Sequence, residues 1–337
     1  MTPVDIPATF GIGLAQRFTL EANVRLAELA EHAGFDRVSC ADNLFMRPVW
    51  PVLTAAARVT RRVEIGPLVT HPLATHPAVT AASVAQLDEV SGGRAFLGIG
   101  RGTQGEHVGV ARQPIAAVRE SIAVISRLLS GDRAGFQGEV FRLAEGAALR
   151  WTPRRPRVPV VVGTAGPKLA EVAGELADEV NVGFLVNPAH LPIVARHMER
   201  GAAKAGRDAA RLTLGCAPLT AVDDDREAAR ALARRHLSVA LPALAGRPGF
   251  PPVDPDELAA VETALRRGDA EAAARHVSPS TLEGYCLAGT PADLIPRIEA
   301  LLAAGVRHVS FCPPLGPAPE AAVRRLGETI LPRLRPR

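Results

Sequence analysis

Residues 65–102 read IGPLVTHPLATHPAVTAASVAQLDEVSGGRAFLGIGRG, and this stretch holds the pattern that decides the fold. A mostly apolar run over 63–70 is followed by a longer segment and then by a second apolar run over 94–100. Short runs that are apolar along their whole length are typical of strands buried on both faces of a parallel sheet. The stretch therefore predicts a strand, a helix and a second strand, that is, one βα unit and the first strand of the next.

The same alternation continues in both directions along the chain. The segments between the apolar runs repeat apolar residues at intervals of three and four, as in the helix predicted over 114–129, which begins at a proline and stops at Gly131. Eight strands with intervening helices predict an α/β fold, the (β/α)8 TIM barrel. The alternative is an open doubly wound sheet, but the GxGxxG that usually follows its first strand is absent. The predicted strands cover 10–15, 37–42, 63–70, 94–100, 158–164, 180–184, 212–222 and 308–312.

Two segments do not fit the alternation. Residues 132–156 contain GFQGEVFRL, which predicts a short hairpin, and residues 246–285 are rich first in proline and then in alanine. We interpret the chain, 1–337, as a single barrel domain with these insertions after strands 4 and 7. Loops that follow barrel strands build the active site, so such an insertion could be a lid or a wall of the substrate site. A helical excursion that serves packing or dimerisation is the alternative.

The composition argues against several classes of function. The chain has a formal charge of +4, but its basic residues are spread out and its aromatic residues are few (Phe 10, Trp 2, Tyr 1), which does not suit nucleic-acid binding. No run reaches the ~18 apolar residues of a membrane span, and the first residues lack a signal-peptide pattern, so we expect no membrane segment and a cytoplasmic location. The four cysteines lack zinc-ligand spacing, so we expect buried free thiols.

Polar residues follow the second and third predicted strands. Asp42 and Asn43 come at the end of the second strand, and Arg47 lies shortly after them. A carboxylate at this end of a barrel strand can accept a hydrogen bond from a cofactor amide, whereas a helix cap or a loop salt bridge is the structural alternative. His71 and His76 follow the third strand, each before a proline. Two imidazoles without a third ligand nearby are poor evidence for a metal, and we expect no metal site.

The fourth and fifth predicted strands end in glycine-rich turns. At Gly100 and Gly102 the backbone could approach a flat ring or a phosphate closely, although glycines also make ordinary turns. Residues 163–168, GTAGPK, open a helix whose free backbone N–H groups would attract an anion, which makes them the best phosphate candidate. They lack the GK[ST] ending of a P-loop. These turns suggest a barrel that binds a large, phosphate-bearing organic cofactor, and the cofactor would do the chemistry.

Three stretches together carry a resemblance to a family. Residues 65–102, residues 163–184 (GTAGPKLAEVAGELADEVNVGF) and residues 288–311 (AGTPADLIPRIEALLAAGVRHVSF) resemble the luciferase-like oxidoreductases, which use FMN or the deazaflavin coenzyme F-420. Arg47 and the glycine-proline entry into the third strand are similar to the methylenetetrahydromethanopterin reductase branch, which implies F-420 rather than FMN.

The resemblance implies which residues bind the cofactor. A cis peptide bulge would lie at Leu68–Val69 behind the ring, Asp42 would hydrogen-bond the cofactor, and Thr70 would lie by the ring edge. Gly102 and Glu106 would border the ring and its polyhydroxy chain, and Ala165 and Gly166 would offer N–H groups to the phosphate. The remaining implied contacts are Gly100 and Thr164.

The sequence departs from the family pattern after the second strand. F-420-dependent relatives often carry Asp-His there, whereas this chain has Asp42 and Asn43. A neutral amide can orient a substrate but cannot act as a general base, which argues against sugar-phosphate dehydrogenation of the kind that uses that histidine.

The expected function is that of a cytoplasmic oxidoreductase. It would transfer a hydride between F-420 and a small organic substrate, with Asp42 and Asn43 as catalytic positioning residues. The alternatives are an FMN-dependent monooxygenase that uses reduced flavin and oxygen, and a flavin-binding protein without catalysis. A homodimer and a separate flavin or F-420 reductase are the expected partners, while the substrate and the direction of transfer stay open.

Overall fold

Eight parallel strands form a ring at the centre of the fold. The computed structural model describes residues 7–73, 75–103, 105–111 and 113–335. Its strands are β1 Thr9–Leu14, β2 Arg37–Cys40, β3 Glu64–Pro67, β4 Leu97–Ile99, β5 Phe136–Gln137, β6 Arg142–Leu143, β7 Val160–Gly163, β8 Glu179–Gly183, β9 Thr213–Ala217, β10 Leu219–Val222, β11 Cys286–Gly289 and β12 His308–Leu315. Its α-helices are α1 Leu20–His32, α2 Val49–Val59, α3 Pro77–Ser91, α4 Ile115–Ser130, α5 Pro167–Leu176, α6 Leu191–Lys204, α7 Arg226–Leu244, α8 Pro255–Arg266, α9 Ala270–His276, α10 Pro279–Tyr285, α11 Pro291–Ala303, α12 Pro319–Arg324 and α13 Leu331–Leu334.

The ring closes into a barrel. Hydrogen bonds join its strands in the order β3, β2, β1, β12, β9, β8, β7 and β4, and each of these pairs is parallel. Two isolated β-bridges, from Ile65 to Ala95 and from Thr70 to Ile99, connect the segments of β3 and β4, which are the first and last strands of this order. The (β/α)8 barrel predicted from the sequence is therefore present. Because all eight strands run the same way, their C-terminal ends meet at one mouth.

The helix boundaries follow the chemistry of their end residues. The helix predicted over 114–129 is present as α4, and it ends at Gly131, whose φ of 76° lies in the left-handed region that favours glycine. Helices α3, α5 and α11 each begin with a proline, whose missing N–H costs no hydrogen bond in the first turn. Within the described residues, no helix is both long and apolar enough to cross a membrane.

The prediction of one continuous strand over 212–222 is wrong. Strand β9 ends before Pro218, because proline has no N–H to donate to a neighbouring strand, and β10 begins after it. Strand β10 leaves the ring and pairs with β11 and with the end of β12, while the Pro218 carbonyl accepts the N–H of Cys312 at 2.9 Å. The sequence analysis also missed β11, because its four residues are too short to show a period.

The first insertion, 132–156, packs on the outer wall of the barrel. The hairpin predicted there is present as β5 and β6. The carboxylate of Glu120 on α4 accepts hydrogen bonds from the backbone N–H groups of Glu139, Val140 and Phe141. These contacts hold the hairpin against the helices, which favours the packing role over that of a lid.

The second insertion folds around a hydrophobic core of its own. Helices α8, α9 and α10 pack with α7, β10 and β11, and Leu237, Val261 and Leu282 are among the buried side chains of this cluster. The fully buried Tyr285 donates its hydroxyl to the Pro251 carbonyl at 2.8 Å, and its ring stacks on Phe250 at a centroid distance of 5.2 Å. The second insertion is thus held in place by its packing against α7, β10 and β11.

A layer of polar side chains fills the barrel below the mouth. Arg37 on β2 donates to the buried carboxylate of Glu179 on β8 at 2.7 Å and to Glu64 on β3 at 2.9 Å. His308 on β12 lies beside them, and its Nδ1 is 2.8 Å from Thr9 Oγ1. A buried ion pair of this kind requires both partners, because either charge alone would be poorly solvated.

Candidate active site

The barrel mouth brings together the residues that the sequence placed after separate strands. Asp42 and Asn43 follow β2, Thr70 follows β3, and Gly100 follows β4. The turn 164–166 follows β7. These residues are distant along the chain, and they share one end of the barrel because their strands are parallel neighbours.

A backbone bulge separates β3 from Thr70. The Leu68–Val69 peptide bond is cis, as the resemblance implied. The bulge is hydrogen-bonded on both sides: the N–H of Leu68 donates to the Cys40 carbonyl at 2.9 Å, and the N–H of Asp42 donates to the Val69 carbonyl at 3.2 Å. On the other side, the N–H of Thr70 donates to the Gly98 carbonyl at 2.9 Å. The neighbouring strands therefore fix the position of the bulge.

Glycines make room for the Val69 side chain at the mouth. A Cβ added to Gly100 would lie 2.9 Å from Val69 Cγ2, and one added to Gly163 would lie 2.8 Å from Val69 Cγ1. At Gly98 a Cβ would lie 2.0 Å from the Pro67 carbonyl oxygen, so only glycine fits there. In contrast, a Cβ at Gly183 would meet nothing within 4 Å. The mouth therefore has a floor that packs tightly around Val69, while the backbone at Gly183 is uncrowded.

Asp42 and Thr70 form a direct pair. Thr70 is 3% exposed, and its hydroxyl donates to Asp42 Oδ2 at 2.7 Å. This bond uses the Thr70 proton and one acceptor site of the carboxylate, so Asp42 keeps its other oxygen as an acceptor. Asp42 does not cap the helix that follows it, because the residue before α2 is Pro48.

Gln16, which the sequence analysis missed, controls the orientation of Asn43. The Gln16 side chain is buried, and its Oε1 accepts from the backbone N–H of Asn43 at 3.2 Å and from Asn43 Nδ2 at 3.0 Å. Its Nε2 donates to the Arg47 carbonyl at 2.6 Å. A backbone N–H can only donate and a carbonyl can only accept, so the two amides have a single consistent orientation. Asn43 Oδ1, which accepts no hydrogen bond from the described residues, is left as a free acceptor on an exposed side chain.

Arg47 has a structural role at the mouth. Its guanidinium donates to the carbonyls of Gln16 and Arg17, both at 3.1 Å. The guanidinium of Arg17 in turn lies 2.6 Å from Nε2 of His236 on α7. This chain of contacts connects the loop after β1 with the second insertion's helical core.

The turn 164–166 leaves one backbone N–H free directly before α5. The N–H of Gly166 donates to Thr164 Oγ1 at 2.9 Å, so it is already used inside the turn. The N–H of Ala165 donates to no group in the described residues, and helix α5 begins directly afterwards with Pro167 at its first position. The first N–H groups of a helix have no partner within it and carry a partial positive charge.

Gly102 and Glu106 were also expected to contact the cofactor. Gly102 has a φ of 76°, and a Cβ on it would lie 2.4 Å from Leu73 Cδ1 and 2.8 Å from His71 Cγ, so the turn after β4 packs directly on the loop after β3. The side chain of Glu106 lies outside the described part of the structure, so its expected contact is not addressed by it.

The histidines after β3 have local roles. His71 Nδ1 accepts from the Leu73 N–H at 3.4 Å, and His76 Nδ1 caps α3 by accepting from the Ala78 N–H at 3.1 Å. Across the described residues, no group of three potential metal ligands comes together. All four cysteines are free thiols, and burial raises the pKa of Cys312 to about 12.

Comparison with known proteins assigns the fold to a family. The family description "luciferase-like monooxygenase" matches residues 5–308. The chain belongs to this family. The match covers the bulge, the glycine floor and the turn before α5, so the mouth lies within the part of this luciferase-like protein that the family description matches.

Individual relatives of this luciferase-like protein are similar over nearly its whole length. It is 33% identical over 322 residues to 5,10-methylenetetrahydromethanopterin reductase of Archaeoglobus fulgidus, covering 91% of this chain and 94% of that protein. It is 30% identical to F-420-dependent glucose-6-phosphate dehydrogenase of Nakamurella multipartita, covering 99% and 98%. The solved structure of coenzyme F-420-dependent tetrahydromethanopterin reductase from Methanopyrus kandleri superposes with a TM-score of 0.89 at 27% identity, covering 98% and 100%.

Proposed function

We propose that this protein is an oxidoreductase that transfers a hydride between coenzyme F-420 and a small organic substrate at the barrel mouth. The observation that carries the proposal is the glycine floor around Val69, with the free N–H of Ala165 and the start of α5 nearby. This combination offers a flat surface for a ring and an anion site for a phosphate. The similarity to F-420-dependent reductases and dehydrogenases supports F-420 over FMN.

The residues present fit such a cofactor. When bound, F-420 would supply a carbon centre that accepts or donates a hydride. Leu68, Val69, Gly100 and Gly102 would form the surface behind and beside the ring. The 164–166 turn and the start of α5 would hold the phosphate through backbone N–H groups and the positive end of the helix dipole.

The chain's own polar groups would then position the substrate. Asp42, held by Thr70, offers a carboxylate oxygen, and Asn43, held by Gln16, offers an amide oxygen. Both are acceptors, so the favoured substrate carries a hydroxyl or N–H group and is not an anion. Asn43 cannot take up the proton that leaves an alcohol as its hydride is transferred, whereas the Asp42 carboxylate can. The exposed side chains of Phe45 and Met46 beside them would pack against an apolar part of the substrate.

We infer a homodimer and a cytoplasmic location, and we infer that a separate reductase regenerates the reduced cofactor. The family resemblance supports the homodimer and the separate reductase. The free thiols suit a reducing compartment such as the cytoplasm. Size-exclusion chromatography with light scattering tests the dimer directly.

Parallel anaerobic measurements test the function. F-420 and FMN, oxidised and reduced, are titrated into the protein by fluorescence, and turnover is screened with oxidised F-420 plus secondary alcohols or amines and with reduced F-420 plus imines or enones. The proposal predicts tighter binding of F-420 than of FMN, and turnover that needs no oxygen. Preferential binding of reduced FMN, with oxygen consumption in a separate aerobic assay, would instead support the monooxygenase alternative. Binding of F-420 without any turnover would support the non-catalytic one.

A further inference from the structure

His190 is a buried side chain outside the set that the sequence singled out. It precedes α6 and is 9% exposed. Its Nε2 lies 3.2 Å from the carbonyl oxygen of Ala165, in the turn before α5. A carbonyl only accepts, so Nε2 carries a proton and donates it to this oxygen. The imidazole therefore holds the middle residue of the turn that is proposed to bind phosphate.

The other side of the His190 ring contacts the second insertion. A Cβ on Gly249 would lie 2.3 Å from His190 Cδ2, and Gly249 has a φ of 90°. The Gly249 carbonyl accepts a hydrogen bond from Asn187 Nδ2 at 3.2 Å, which fixes this loop against the loop after β8. The His190 ring is thus placed between the Ala165 carbonyl and the backbone of Gly249, with no room to move toward the insertion.

We infer that His190 is a positioning residue for the phosphate-binding turn, and that the insertion takes part in cofactor binding through it. Tying down the Ala165 carbonyl fixes the peptide plane that joins Ala165 to Gly166, and with it the path of the chain into the start of α5. A turn held in this way loses less conformational freedom when an anion binds. This inference rests on the proposed function for the location of the phosphate, but not for the identity of the ring.

The test compares a cofactor with its phosphate-free form. F-420 and the deazaflavin riboside that lacks its phosphate are titrated by fluorescence into the wild type, His190→Leu and His190→Gln. We expect His190→Leu to weaken F-420 binding about tenfold, the scale of one lost hydrogen bond to a well-ordered group, and to leave riboside binding unchanged. His190→Gln, which keeps a donor near the Nε2 position, should recover most of the affinity.

Two glycines of the insertion provide a matched pair. Gly249 and Gly246 both have positive φ, 90° and 74°, but a Cβ at Gly246 would meet nothing within 4 Å. Alanine strains the backbone at both positions, and only Gly249→Ala pushes on His190. We expect Gly249→Ala, but not Gly246→Ala, to reproduce the phosphate-dependent loss. Thermal unfolding of each variant establishes that it is folded.

Several outcomes would overturn the inference. Unchanged F-420 binding in His190→Leu would do so, and so would an equal loss for F-420 and its riboside, because that pattern indicates a general distortion of the mouth. If the wild type binds FMN instead of F-420, the proposed function fails, and the same comparison is made with FMN and riboflavin. A loss confined to FMN would then still support the role of His190.

Discussion

The Gln16 side-chain amide fixes the orientation of Asn43 at the barrel mouth. Gln16 Oε1 accepts both the backbone N–H and the Nδ2 of Asn43, at 3.2 and 3.0 Å, so the amide oxygen of Asn43 is the atom left free as an acceptor. A histidine at this position would present a group that can exchange a proton near neutral pH, whereas this pair presents a fixed acceptor. The contact therefore bears directly on which substrates the site takes.

Replacing Gln16 with leucine should release Asn43. For the best substrate found in the turnover screen, we expect Gln16→Leu to lower kcat/KM about tenfold while F-420 binding stays the same, because the amide oxygen loses its fixed direction. Asn43→Ala should cause a similar loss. In the Asn43→Ala background, Gln16→Leu should cost little more, because the two residues act as a unit. A full additional loss in the double variant would contradict the account.

The hydroxyl of Thr70 should matter more than its shape. Thr70→Val keeps the volume and removes the 2.7 Å hydrogen bond to Asp42, which leaves a half-buried carboxylate oxygen without its donor. We expect the hydride-transfer rate, followed by the absorbance of oxidised F-420 in single turnovers, to fall about tenfold or more. Thr70→Ser keeps the hydroxyl and serves as the control. Equal rates for the valine and serine variants would rule out this role for the hydroxyl.

The glycine floor should tolerate no side chain beneath Val69. Gly163→Ala places a Cβ 2.8 Å from Val69 Cγ1, and overpacking of this kind typically costs about 1–3 kcal/mol in the free energy of unfolding. We expect denaturant unfolding to show that loss and F-420 binding to weaken with it. Val69→Ala combined with Gly163→Ala should recover stability, since the smaller side chain leaves room for the new Cβ. A strictly additive double variant would mean that the two residues do not press on each other.

His308 should make stability depend on pH in a defined direction. Burial, together with the Arg37 guanidinium, holds the pKa of His308 well below its usual range. As the pH falls below about 6.5, the unfolded chain takes up a proton there that the folded protein does not, so the folded protein is destabilised by up to about 1.4 kcal/mol per pH unit. Above that pH, this contribution to stability is fully present.

The variant His308→Asn isolates this effect. It keeps a polar partner for Thr9 and cannot titrate, so other groups contribute equally to both proteins. We expect the free energy of unfolding of the wild type to fall more steeply than that of the variant between about pH 6.5 and 5. Parallel pH profiles from denaturant unfolding would show that His308 is not the group responsible.

The sequence predicted the barrel because its strands are buried on both faces. Apolar runs such as 158–164, separated by amphipathic helices, leave few other folds open. The errors occurred where the local pattern does not determine the strand. Pro218 divides one apolar run into two strands, and the four residues of β11 are too few to show a period. The hairpin in 132–156 was recognisable because its turn residues are local signals.

The candidate site was predictable only in part. Asp42 and the glycines could be found, because strand ends and glycine-rich turns are recognisable in the sequence, whereas Thr70 was implied only by the resemblance to the family. Gln16 and His190 could not, since each acts through a contact with a residue far along the chain and neither belongs to a motif. The one available signal for Gln16 is its place directly after the first strand, on the side of the barrel where active sites form.

A crystal structure of the protein with oxidised F-420, grown without oxygen, tests the central claim most directly. The account predicts the ring against Val69 and the glycine floor, and the phosphate about 3 Å from the Ala165 N–H at the start of α5. A cofactor bound elsewhere, or a phosphate turned away from the 164–166 turn, would contradict it.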